Sequence, residues 1–190
     1  MKTRALMEST IQDSLATKQR LLDDGATLDA LAQLAAHIKQ QLAKGHKVLL
    51  AGNGGSAADA QHIAAEFVGR FEAEREALAA IALTTDTSAL TAIGNDYGFE
   101  QVFARQVAGL GQAGDVFIGI STSGNSANVV RALEVAQAKG LHTVALVGAR
   151  AGLMHERADT VLAAPSTRTA RIQECHILMM HLLCQLVDTP

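Results

Sequence analysis

The sequence predicts an α/β fold, a three-layer sandwich with a central, mostly parallel five-stranded sheet flanked by helices. Three observations carry that expectation. Short apolar runs recur at Val48–Ala51, Ala79–Leu83, Val116–Ile120, Thr143–Val147 and Thr160–Ala163. Four of these are continuous rather than alternating, as strands covered on both faces should be. Helical segments separate them, at Ala57–Phe67, Glu100–Ala108, Ala127–Lys139 and Arg168–Val187. Strand–helix–strand repetition at this spacing means parallel strands joined by right-handed crossovers.

Ahead of the first strand, the opening forty-odd residues read as helix. Leu28, Leu31, Leu34, Ala35, Ile38 and Leu42 recur at helical spacing, with Asp29, His37, Lys39 and Gln40 on the other faces. Such a stripe either covers the sheet of its own domain or joins a partner's helices. So much apolar surface on a small domain leads us to expect a symmetric homotetramer, with residues 1–45 contributing to its interface. Repeats, linkers and low-complexity stretches are absent from the sequence, so residues 1–190 are expected to form a single domain. Hydrophobic residues make up 48% and aromatics only 3%, so the core must be built from Ala, Leu, Val and Ile.

Composition also removes function classes. A net charge of -3 with scattered Lys and Arg argues against a nucleic-acid surface. The apolar runs fall well short of the roughly 20 residues that span a bilayer, so no membrane partner is expected. Residues 1–14 mix charges with short apolar pairs and have no signal-peptide core. Cys175 and Cys184 lie in an apolar segment without a CxxC motif, as buried thiols of a reducing compartment would. The expected location is the cytoplasm.

In a parallel sheet, ligands sit outside the carboxyl ends of the strands, so the loops there should carry the chemistry. Two of them share a character. Gly52-Asn53-Gly54-Gly55-Ser56 follows the first strand, and Ser121-Thr122-Ser123-Gly124-Asn125-Ser126 follows the third; a helix begins after each. Small residues let the backbone approach an anion, and the free N–H groups of a helix start point at it. Hydroxyls add donors without bulk. Lacking Lys and Arg, the hydroxyl loop suits a phosphomonoester that must exchange. GxxxxGK[ST] is missing and the first loop does not fit GxGxxG, which excludes the common nucleotide fingerprints.

The helix after the first loop carries His62 and Glu66, four apart and on one face. The last helix carries Gln173 and His181, eight apart with Ile177 midway, so both can lie on one stripe. Imidazole, carboxylate and amide oxygen are all competent zinc ligands. His176 competes as a ligand, but its angular offset makes it the poorer companion of Gln173 and His181.

Four runs together resemble one family. Gly52–His62, Ala92–Phe99, Gly119–Ser126 and Ala170–Glu174 occur in the order found in the phosphoheptose isomerases, members of the sugar isomerase (SIS) domain fold. The resemblance implies a SIS-type sandwich that converts sedoheptulose 7-phosphate to D-glycero-D-manno-heptose 7-phosphate in lipopolysaccharide heptose supply. It implies that Ser121, Thr122, Ser123 and Ser126 grip the phosphate, with Asn53, Gly54, Gly55 and Ser56 in support. Glu66 would be the general base and His181 the acid. Zinc, one per subunit, would be held by His62, Glu66, Gln173 and His181. Arg70, Asn95, Asp96 and Gln173 match positions that contact or order the sugar, and the family assembles as tetramers with active sites at subunit interfaces. The chain departs from the pattern in three places: no proline in Glu76–Ala80, a turn reading Gly148-Ala149-Arg150-Ala151-Gly152, and Ala170 where some members carry an aspartate. The alternative is a branch of the same fold, a non-catalytic tetrameric adaptor that binds the bacterial replication initiator protein. That branch lacks the counterparts of Glu66 and His181.

Overall fold

In the computed structural model, which describes residues 2–189, five parallel strands form one sheet in the order β2-β1-β3-β4-β5. They are β1 (Val48–Gly52), β2 (Ala80–Ala82), β3 (Val116–Ile120), β4 (His142–Gly148) and β5 (Thr160–Ala164). Every pairing is parallel, and β1 and β3 run side by side from Val48↔Val116 to Gly52↔Ile120. The strand order reverses there, which makes the space beyond Gly52 and Ile120 the topological switch point. Both of the loops singled out in the sequence leave from it.

Period-two alternation divides the sheet between two cores. Val48, Leu50, Ile118, Ile120 and Leu146 face one way, beneath α2 (Gly25–Ala43), α3 (Gly55–Val68) and α8 (Thr169–Asp188). Leu49, Ala51, Phe117, Ala145 and Val147 face the other way, beneath α5 (Ala104–Leu110), α6 (Ala127–Ala138) and α7 (Leu153–Arg157). Central strands β1 and β3 are buried at every residue, whereas edge strands β2 and β5 are buried only in part. The expected three-layer α/β sandwich is present.

Two local expectations are sharpened and one is corrected. The N-terminal helical region is two helices, α1 (Lys2–Leu22) and α2, because Asp24 stops one and caps the other. Its carboxylate accepts from the Thr27 backbone N–H (3.1 Å) and hydroxyl (2.7 Å), as N-cap aspartates do. Those bonds, the hydroxyl first, hold the Asp24 pKa below the usual carboxylate value. The stripe of Leu31, Leu34, Ala35 and Ile38 covers the chain's own sheet. The unpaired apolar side chains lie on α1 instead, at Leu6, Met7, Ile11 and Leu15, each more than half exposed. Finally, the helix expected at Glu100–Ala108 is a 3-10 turn (Phe99–Gln101) followed by α5, and it is preceded by α4 (Thr87–Tyr97), which carries no fully buried residue. With only one half-covered face, α4 writes too weak an apolar period into its Thr-, Ser- and Gly-containing sequence to be read there.

Candidate active site

At the switch point the two loops are tied together by a side chain that the motifs gave no reason to select. Asn128, buried on the first turn of α6, exchanges amide hydrogen bonds with Asn53: Asn53 Nδ2 donates at 2.9 Å and Asn128 Nδ2 at 2.8 Å. A reciprocal amide pair satisfies both side chains and fixes the spacing of the loops.

The hydroxyl loop folds on itself. Ser121 Oγ lies 2.8 Å from Ser126 Oγ and 3.3 Å from Ser123 Oγ. Ser126 occupies the N-cap position of α6, yet its side chain makes no cap hydrogen bond. Its hydroxyl faces the other serines, which leaves the first amides of α6 without a capping side chain. Thr122, Ser123 and Asn125 line a cleft of about 340 Å³ whose other walls come from the segments after β4 and β5. Ser121, which is buried, and Ser126, which is partly so, are not part of that lining.

The first loop is shaped by closeness. Gly54, at φ 56°, precedes the start of α3, and a Cβ on Gly55 would collide with the amide of Gln173. Gln173, on α8, therefore lies over the N-terminus of α3. Two turns further along the same helices the ionisable groups converge. His62 Nε2 and His181 Nε2 stand 2.9 Å apart, and Glu66 Oε1 is 3.5 Å from His62 Nε2. Phe71 stacks on the His181 ring, with centroids 5.3 Å apart. Arg75 braces the C-terminal ends of α3 and α8, donating to the carbonyls of Glu66 and Phe67 (both 2.8 Å) while pairing with Asp188 at 2.7 Å.

Asp59, one turn ahead of His62, is a second residue that sequence reasoning missed as part of the site. Burial raises its carboxyl pKa, and the charges of His62 and His181 pull it back. Its Oδ2 is buried without a hydrogen-bond partner, an acceptor waiting for a donor or a cation. The only hint in the sequence was a carboxylate three residues before His62 on the same helix. Cys184 lies behind Glu66; burial first, then Glu66 and Asp188, push its thiol up to about 12 and keep it inert. His176 is fully buried and bonded through Nε2 to Val147 O (2.9 Å), which removes it from any ligand set.

Not every candidate joins this cluster within one chain. Arg70 is exposed and engages Glu72 O and Glu74. Asn95 and Asp96 bond to each other on the exposed last turn of α4, beside Tyr97, which lies under the Arg105 guanidinium at 3.8 Å. His62 is itself 46% exposed, so the acid–base cluster is open on one side.

The same architecture and sequence recur among known proteins. A family model described as SIS domain matches residues 13–148. The phosphoheptose isomerase of Aneurinibacillus thermoaerophilus is 52% identical over 182 residues, covering 96% of this chain and 92% of its own. This chain belongs to the phosphoheptose isomerase family. Solved phosphoheptose isomerases superpose along nearly its whole length. The enzyme from Neisseria gonorrhoeae gives a TM-score of 0.91 at 47% identity, covering 97% of this chain and 98% of its own. That from Francisella tularensis gives 0.94 at 39% identity, covering 99% of each.

Proposed function

We propose that this chain is an aldose–ketose isomerase converting sedoheptulose 7-phosphate to D-glycero-D-manno-heptose 7-phosphate through an enediol. The observation that carries this reading is the convergence of Glu66, His62 and His181 beside a hydroxyl-lined loop at the switch point. Both residues that the non-catalytic adaptor branch lacks, Glu66 and His181, are present in that cluster.

The chemistry requires a base at carbon and an acid at oxygen. The hydroxyls of Ser121, Thr122, Ser123 and Ser126 and the amides of α6 hold the phosphate, with Asn53, Gly54, Gly55 and Ser56 closing the other side. Glu66 takes a proton from C1 of the ketose. The C1–H electron pair becomes the C1–C2 double bond as O2 takes a proton from His181. Return of a proton to C2 and loss of the O1 proton leave the aldose. Arg70, Asn95, Asp96 and Gln173 order the sugar hydroxyls, the first three in the assembled oligomer.

A zinc ion suits the donors. Among the described residues no group of three His, Cys, Asp or Glu side chains is already arranged as a metal site. His62, Glu66, Gln173 and His181 would hold the ion, and the orphaned Asp59 Oδ2 nearby is what an electropositive site would tolerate. When bound, zinc would polarise the substrate's carbonyl oxygen. A cation lowers the basicity of a carboxylate beside it, so Glu66 would act as a base only while it is not a tightly held ligand.

The half-open cluster and the apolar face of α1 are the reasons to read the working form as a homotetramer. Among the described residues no helix is long and apolar enough to cross a membrane, and both cysteines are free and buried, which supports a cytoplasmic location.

Purified protein incubated with sedoheptulose 7-phosphate in deuterated water should yield the aldose with deuterium at C2, and a chelator should slow it if zinc participates. Intact substrate carrying no deuterium would end the proposal. Light scattering at micromolar concentration should report four copies; a monomer would defeat the assembly.

A further inference from the structure

We propose that Arg150 is a specificity-determining residue that tunes the cleft beside the hydroxyl loop for the dianionic form of a phosphomonoester. The inference rests on reading that cleft as a sugar-phosphate site. The cleft's walls carry Thr122, Ser123, Asn125, Ser166, Thr167 and Thr169, all neutral donors, and one charged side chain, Arg150. The lining contains no Asp or Glu. Position 170, beside Thr169 on the first turn of α8, is alanine, so no carboxylate there opposes the guanidinium. Among the described residues Arg150 enters no ion pair or side-chain hydrogen bond, unlike Arg75, Arg131, Arg157, Arg168 and Arg171, which all have acidic partners.

The backbone that presents it is fixed at both ends. Before it, Ala149 N donates to Ser166 O at 3.0 Å, and a side chain on Gly148 would run into Thr122 O. After it, Leu153 N donates to Asn125 Oδ1 at 2.9 Å and Met154 N to Gly124 O at 3.0 Å. Arg150 thus sits on a short span anchored to the hydroxyl loop itself. A guanidinium so placed can donate two parallel hydrogen bonds to phosphate oxygens, which a serine or threonine cannot. The loop's hydroxyls hold phosphate in either ionisation state, and the added charge favours the dianion.

The test compares Arg150→Met and Arg150→Lys with wild type, using sedoheptulose 7-phosphate for kinetics and inorganic phosphate for calorimetric binding. Arg150→Met should raise KM and the phosphate Kd about tenfold, the loss of one charge-assisted interaction, with kcat within about twofold. Arg150→Lys, which keeps the charge but not the paired hydrogen bonds, should recover part of that loss. Wild-type affinity for inorganic phosphate should rise with pH through that ion's second ionisation, about one unit above the ~6 of a phosphomonoester, and the rise should be shallower in Arg150→Met. An unchanged Kd, a lysine variant no better than methionine, or a pH dependence identical to wild type would overturn the inference. Phosphate binding that depends on Arg150 in a protein unable to isomerise sedoheptulose 7-phosphate would uphold it while defeating the proposed reaction.

Discussion

His176 and His181 stand five residues apart on α8, a rotation of about 140° on a helix of 3.6 residues per turn, and their environments could hardly differ more. His176 points into the sheet, is fully buried, and bonds to Val147 O. His181 points away from the sheet, meets His62 at 2.9 Å and lies under Phe71. Burial depresses the His176 pKa to about 4, partly offset by the bond to Val147, so it is a neutral structural donor at pH 7. One helix therefore carries a core face and a chemical face. Residue type does not separate them; angular position does.

The largest effect that can break this comparison lies on the chemical face. Glu66→Gln keeps the shape and removes the basicity, so kcat should fall about 10²- to 10⁴-fold with little change in KM. His181→Gln should lose a similar factor while its unfolding midpoint stays near wild type. His176→Gln should do the reverse, retaining most of kcat and losing stability. Metal content measured on each variant separates lost chemistry from lost zinc. A Glu66→Gln enzyme that still exchanges substrate hydrogen with solvent at near wild-type rate would make Glu66 a structural or metal-holding residue only.

The next effect, on the core face, is a dependence of stability on pH. His176 has a folded pKa of about 4 against an ordinary 6.5, so the unfolded chain binds the proton more readily. Stability is fully present above pH 6.5 and declines as the pH falls from there towards 4. A shift of this size corresponds to about 3 kcal/mol across that window. Urea unfolding at pH 7, 5.5 and 4.5 should show this loss in wild type and a smaller one in His176→Gln, which cannot titrate. His142, with a pKa lowered by burial, and Asp59, with one raised by burial, remain in both proteins and cancel in the difference. Equal slopes would mean that His176 is hydrated or protonated in the folded state.

How legible were these two faces in the sequence? The strands were readable because buried parallel strands write continuous apolar runs, and the positions of all five were recovered. The loops were readable because small residues and hydroxyls stood where strands end. His62, Glu66, Gln173 and His181 could be placed on common faces by counting, and His176 could be set aside by the same count. What could not be read depends on distances between segments far apart in the chain. The Asn53–Asn128 pair spans 75 residues, and nothing at Asn128 marks it apart from other helix-start asparagines. Asp59 gains its raised pKa only once folding buries it, with His62 and His181 drawing it partly back. The Leu31, Leu34 and Ile38 stripe looked available for a partner because a sequence shows that a face is apolar without showing what covers it. Arg70, Asn95 and Asp96 stand apart from the acid–base cluster within one chain.

The smallest expected effect tests whether the chemical face can be disturbed without touching the core. Gly55 and Gly148 both lie against α8, but different atoms crowd them. A Cβ on Gly148 would meet Ile172 Cδ1 at 2.6 Å and the Thr122 carbonyl oxygen at 2.7 Å; the backbone atom cannot swing away. A Cβ on Gly55 would meet only the terminal amide of Gln173, the far end of a side chain with several rotatable bonds. Alanine is also the better helix former, by up to about 1 kcal/mol in a helix interior, and less at the first position of α3. Gly55→Ala should therefore fold with a stability within about 1 kcal/mol of wild type, whereas Gly148→Ala should lose more, as overpacked sites do, by roughly 1–3 kcal/mol. Function should follow the opposite order at Gly55. If Gln173 is the sugar contact and zinc ligand proposed for it, displacing it should make zinc dissociate more readily and raise KM several-fold. The measurement is a chelator titration of bound zinc beside a urea unfolding curve on the same preparation. If Gly55→Ala keeps wild-type zinc retention and KM, the position of Gln173 over α3 has no part in the site, and the chemical face of α8 begins at His181 rather than at Gln173.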